Sequence, residues 1–151
     1  MRRVAFIGHR LVLKDIKQKL KTAIENEIKN GNINFMVGVY GDFDKLTLEV
    51  LRELKKIYDI KIEVVVTSLS KIHSQNKNNF EENYTPYKDA NIVMFETELE
   101  YFKNKITSSN KKMIDCSNVL ICYVDINSYK SGAKKIFYYA KRKNLKIINL
   151  Y

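Results

Sequence analysis

Residues 33–57 read INFMVGVYGDFDKLTLEVLRELKKI, and the reading of this stretch decides the fold. Ile33 to Val37 is a short apolar run that stops at Gly38. An apolar run of that length fits a strand covered on both faces. From Phe43 the period changes. Leu46, Val50, Leu54 and Ile57 mark one face of a helix, and Leu51 widens the stripe. Between strand and helix lie two of the chain's five glycines, Gly38 and Gly41, with Asp42 and Asp44 close behind. Glycines in such a turn serve either a positive φ or a ligand pressed close to the main chain.

The same alternation extends in both directions. RRVAFIG reads as a buried strand ending at Gly8. KDIKQKLKTAIENEIKNG places Ile16, Leu20, Ile24 and Ile28 on one helix face, with Asp15 in its first turn and Gly31 at its end. KIEVVVTS is a third strand, ANIVMF a short fourth and ELEYFKNKI a helix candidate. SSNKKMID reads as a short polar helical segment feeding the strand NVLICYVD. SGAKKIFYYAKRKN is a helix with Phe137 and Ala140 toward the core, and KIINLY is a terminal strand. Ser70 to Asp89 interrupts the pattern with a polar excursion that holds the only proline, Pro86; loops of that length often serve as lids or binding loops. Alternating strands and helices with right-handed crossovers predict a single α/β domain over residues 1–151. Its sheet should be open, doubly wound, mainly parallel and five to six strands wide.

Composition narrows the function classes. The chain has 151 residues and is 45% apolar, which suits one globular core. No apolar run approaches the ~20 residues of a bilayer span. The charged start MRRVAFIGHR has too short an apolar stretch for a signal-peptide core, so a cytoplasmic location is expected. Cys116 and Cys122 flank a predicted strand, roughly 20 Å apart, too far for a disulfide. They read as two small buried hydrophobes. With only His9 and His73 and no CxxC spacing, no metal site is expected. The net charge of +10 raises nucleic acid as a partner. Most lysines, Lys14, Lys17, Lys19 and Lys21 among them, fall instead on polar helix faces.

In doubly wound sheets ligands bind beyond the carboxyl ends of the strands. Three loops meet that rule. In the first, Gly8-His9-Arg10, the glycine exposes backbone N–H groups and Arg10 suits a phosphate. His9 is either an acid–base group or a cap on a strand edge. In the second, Gly38 to Asp44, one aspartate caps the helix, or a carboxylate holds a ribose hydroxyl while Tyr40 stacks on a base. No lysine follows in the P-loop manner. In the third, Ser131-Gly132-Ala133 opens a helix whose N–H groups form an anion site. Gly132 is expected to face Gly38 and Gly41 across the crevice. Asn110 and Asp115 line the same crevice, or Asp115 and Ser117 simply turn the chain into the strand.

These pieces together resemble the YpsA-like proteins of the SLOG superfamily, a Rossmann-like group that includes the Lonely Guy phosphoribohydrolases and DNA-processing proteins of natural transformation. The resemblance rests on GHR, VGVYGDFDKLTLEVLRELKKIY, NKKMIDCSNVLICYV, SGAKKIFYYAKRKN and KIINL, in order. It implies a Rossmann-like fold and a nucleotide-derived ligand such as NAD, ADP-ribose or a nucleoside phosphate. The positions it implies are Gly8, Arg10, Gly38, Tyr40, Gly41, Asp44, Asn110, Ser131, Gly132 and Ala133. Three departures stand out. Gly38-Val39 replaces Gly-Gly, Ser109-Asn110 replaces Arg-Asn, and Lys134, Lys135 and Ile136 stand where the phosphoribohydrolases place a glutamate. The missing arginine and carboxylate favour a binding or sensing protein. The alternative is an N-glycosidic hydrolase or transferase with His9, Asp44 and Asp115 as catalytic candidates. A nucleic-acid-binding module and a homo-oligomer complete the expectations.

Overall fold

The structure, a computed structural model, describes residues 2–67, 87–95 and 102–151. Six strands form one parallel sheet: β1 (Arg3–Gly8), β2 (Asn34–Val37), β3 (Lys61–Val66), β4 (Asn91–Met94), β5 (Val119–Tyr123) and β6 (Lys146–Asn149). Four helices are described: α1 (Lys17–Lys29), α2 (Asp42–Lys55), α3 (Phe102–Asp115) and α4 (Gly132–Arg142). The sheet order is β4-β3-β2-β1-β5-β6. The chain therefore winds outward one way from β1 through β4, then returns to add β5 and β6 on the other side. The reversal falls between β1 and β5, where Val4 to Gly8 pair in register with Val119 to Tyr123. Crossovers diverge at such a point and leave a crevice at the carboxyl ends of the strands.

Alternation along the central strands divides the core into two layers. Val4 and Phe6 of β1, with Val119, Ile121 and Tyr123 of β5, pack with the buried faces of α1 and α2. Ala5 and Ile7, with Leu120 and Cys122, pack with Met113 and Ile114 of α3 and Ile136, Phe137 and Ala140 of α4. The three-layer α/β/α arrangement follows from this period of two, because both faces of a central parallel strand must be covered. Each large side chain so buried contributes roughly 1.5–3 kcal/mol.

Several local expectations change. The expected helix candidate ELEYFKNKI falls in part outside the described residues; its described part, Phe102 to Ile106, is continuous with SSNKKMID in one helix, α3. Asp15 lies before α1, its Oδ1 accepting the Lys17 N–H at 3.3 Å, and the chain leaves α1 through Gly31 at φ +91°. Ile57 lies beyond α2 and is exposed, because the helix ends at Lys55. Cys122 is buried in the core and its thiol is pushed up to about 12 by burial. Cys116 is exposed in the turn after α3, contrary to its reading as a core residue. Ser70 to Asp89 falls mostly outside the described residues. Its last residue, Asp89, is held to α2 by Arg52 at 2.8 Å. Among the described residues no helix is long and apolar enough to cross a membrane.

Candidate functional site

A cleft of about 380 Å³ opens where the sheet reverses direction. Gly8, His9 and Arg10 line it from the end of β1, and Gly38, Tyr40, Gly41 and Asp44 from the β2–α2 turn. Asn110 of α3 and Ser131, Gly132 and Ala133 at the start of α4 complete the wall. The loop positions picked out from the sequence thus meet in one cavity. Phe6, Ile7 and Ile106 also line it and were not anticipated, since apolar residues in a strand or helix read only as core.

The glycines of the β2–α2 turn are explained by packing within the protein. Neither has a positive φ. A Cβ on Gly41 would lie 2.5 Å from Arg10 Cα, and one on Gly38 would lie 3.0 Å from Asp44 Oδ2. Gly8 is similar, for its Cβ would meet the Phe43 ring at 2.3 Å. Phe43, stacked on Tyr123 at 6.3 Å between ring centroids, thereby reaches the end of β1. Gly132 differs: no atom lies within 4 Å of where its Cβ would be.

The two helix N-termini at the cleft are also unlike. Neither aspartate caps α2, whose N-cap is Gly41. Instead the Asp42 N–H donates to Arg10 O at 2.8 Å, and Asp42 Oδ2 accepts the Val12 N–H at 3.2 Å. The β1 loop is thus clamped across the start of α2, which fills that N-terminus from inside the protein. Asp44, in the first turn, reaches back to accept the Tyr40 N–H at 2.8 Å. At α4, Ser131 is the N-cap and its Oγ accepts the Lys134 N–H at 3.1 Å. The Gly132 and Ala133 N–H groups have no acceptor among the described residues. With the helix dipole behind them they favour an anion.

Asp44 is half-buried, with its carboxyl turned in among protein atoms. Burial pushes its pKa up to about 6, against the opposing effect of the Tyr40 N–H. The Tyr40 hydroxyl pairs with Thr67 Oγ1 and accepts the Thr67 N–H at 3.2 Å, which fixes the ring at the rim. His9 Nε2 accepts the Asp125 N–H at 2.8 Å, so that lone pair is committed to joining the β1 and β5 loops. Arg10 is exposed at the mouth. Ser109, where the resemblance sets an arginine elsewhere, is buried, while its neighbour Asn110 faces the cavity.

Asp115 does not reach the cleft. Helix α3 runs against the strands, so its last residue lies at the opposite edge of the sheet. There Asp115 Oδ1 accepts the Tyr139 hydroxyl at 2.8 Å and faces Lys143 Nζ at 3.5 Å. No cluster of metal-ligating side chains occurs among the described residues.

Fold and cleft together define a Rossmann-like α/β protein with a cleft at its topological switch point. The chain belongs to the YspA SLOG family, whose model (YpsA) matches residues 5–150. No curated protein matches it. Among solved structures, DNA processing protein A from Streptococcus pneumoniae superposes with a TM-score of 0.69 at 12% identity, over 98% of this chain and 50% of that one. DNA processing protein A from Helicobacter pylori gives 0.68 at 21% identity, over 98% of this chain and 64% of that one. The chain thus spans between half and about two-thirds of these proteins, and at such identities the likeness is one of fold.

Proposed function

We propose that the chain binds a nucleotide or nucleotide-derived small molecule in the cleft between β1 and β5. The observation that carries this reading is the pairing of an open α4 N-terminus with a carboxylate and an aromatic ring across one cavity. A phosphate sits on the Gly132 and Ala133 N–H groups, near Arg10. The sugar hydroxyls donate to Asp44 and the base lies against Tyr40. The cavity volume lies within the range of small-molecule sites. Native mass spectrometry and calorimetry against nucleoside mono- and diphosphates, NAD and ADP-ribose test it. Binding of one member at micromolar concentration is the expected result. Absence of any binding at millimolar concentration contradicts it.

Hydrolysis of an N-glycosidic bond is less well supported. Of its three candidates, Asp115 is at the wrong edge and His9 has its Nε2 occupied, which leaves Asp44 alone. Single-stranded nucleic acid is the second reading. It is favoured by the net charge of +10 and by the single-stranded DNA binding described for the Helicobacter pylori protein. Phosphate contacts would then make affinity fall steeply with salt.

A further inference from the structure

A second cavity, of about 360 Å³, adjoins the first. His9 and Ser131 line both, so they form the partition between them. Its far side is apolar and solvent-facing. Leu11 is 62% exposed, Leu13 83% and Tyr151 49%. Leu11 and Leu13 belong to the β1–α1 loop, and among the described residues nothing covers them. Polar groups lie among them. Lys14 Nζ stands 4.3 Å over the Tyr151 ring. The Asp125 carboxylate beside the Tyr151 hydroxyl holds its pKa above the usual phenol value. An apolar cavity with an aromatic ring and a few polar groups at its edge suits a planar heterocycle.

From this we infer that the two cavities take one bipartite ligand: a dinucleotide-class molecule, with two ring-bearing halves joined through a pyrophosphate. This rests on the nucleotide reading above and extends it. The partition coincides with the start of α4, so the pyrophosphate passes His9 and Ser131. One half lies against Tyr40 and Asp44. The ring of the other half lies among Leu11, Leu13 and Tyr151.

The experiment compares ADP with NAD and diadenosine pyrophosphate by calorimetry, on the wild-type chain and on Leu13→Asp. At 83% exposure Leu13 contributes little to the core, so the variant should melt with wild type. The expected result is at least tenfold tighter binding of one dinucleotide than of ADP. In Leu13→Asp that advantage is lost, while ADP affinity stays within twofold. If ADP binds and neither dinucleotide binds better, the second cavity is not a subsite and the inference fails while the nucleotide reading stands. Equal weakening of ADP and dinucleotide by Leu13→Asp also overturns it, as does a wild-type dimer that the variant dissociates with no change in either affinity. If none of the three binds, the nucleotide reading itself fails and this inference with it.

Discussion

Asp44 concentrates the conflict between stability and function in one side chain. Its carboxyl is held in a desolvated place, and its pKa rises from 3.8 to about 6. Between those values the folded chain keeps a proton that the unfolded chain has released. Folding stability therefore falls as pH rises through that window, and the cost is complete above it. Asp44→Asn removes the charge and keeps an oxygen for the Tyr40 N–H. Denaturant melts across pH should show variant and wild type alike at the acidic end. The variant should gain roughly 2–3 kcal/mol by mildly alkaline pH. Parallel curves would mean that the carboxyl is not desolvated. The gain should come with weaker nucleotide binding, since the neutral amide is a poorer partner for sugar hydroxyls. The glycines make a second prediction at this scale. Gly41→Ala forces a Cβ into the Arg10 backbone and should cost about 1–3 kcal/mol or more. The melting temperature reads it directly, and an unchanged value would show that the β1 loop can move away.

At the scale of elements, α2 and α4 reach the cleft by different means. Helix α2 is anchored through Phe43, 1% exposed, which lies over Gly8 and on Tyr123. Phe43→Ala should cost about 3–5 kcal/mol in equilibrium unfolding. A loss below 1 kcal/mol would show that the start of α2 does not depend on this contact. Helix α4 depends on its cap, and Ser131→Ala should cost about 1 kcal/mol by freeing the Lys134 N–H. Most of this architecture could be read from the chain. Strand β5 is an uninterrupted apolar run, and β1 and β3 are nearly so, broken only by Arg3 and by Lys61 and Glu63, as expected of strands covered on both faces. Helix α3 was harder, because Ser108, Ser109, Asn110, Lys111 and Lys112 interrupt its apolar period and divide it in two. That division misplaced Asp115, since the edge at which a residue emerges depends on the direction of the whole helix. Glycine gave the position of the cleft but not its reason. A glycine shielding a carboxylate and one facing open space look alike in a sequence.

For the whole molecule, the sheet reversal at β1 is what turns three ordinary strand-to-helix turns into one cavity. Charge alone does not choose its ligand. Part of the basic surface is paired: Lys17 with Glu49 and Glu53, and Lys146 with the buried Glu27. A nucleic-acid function would show as affinity for single strands that falls steeply with salt, with phosphate contacts as its source. Salt-insensitive or absent binding to single strands at low salt would leave the small-molecule reading alone. The central claim is that a phosphate rests at the start of α4. Gly132 tests it most directly, because its Cβ would meet no protein atom within 4 Å and its φ is not positive. The measurement is calorimetric titration of the tightest-binding nucleotide into wild type and Gly132→Ala, with melting temperatures alongside. The expected result is an unchanged melting temperature and an affinity at least tenfold weaker in the variant. An intact fold with undiminished affinity would contradict the account.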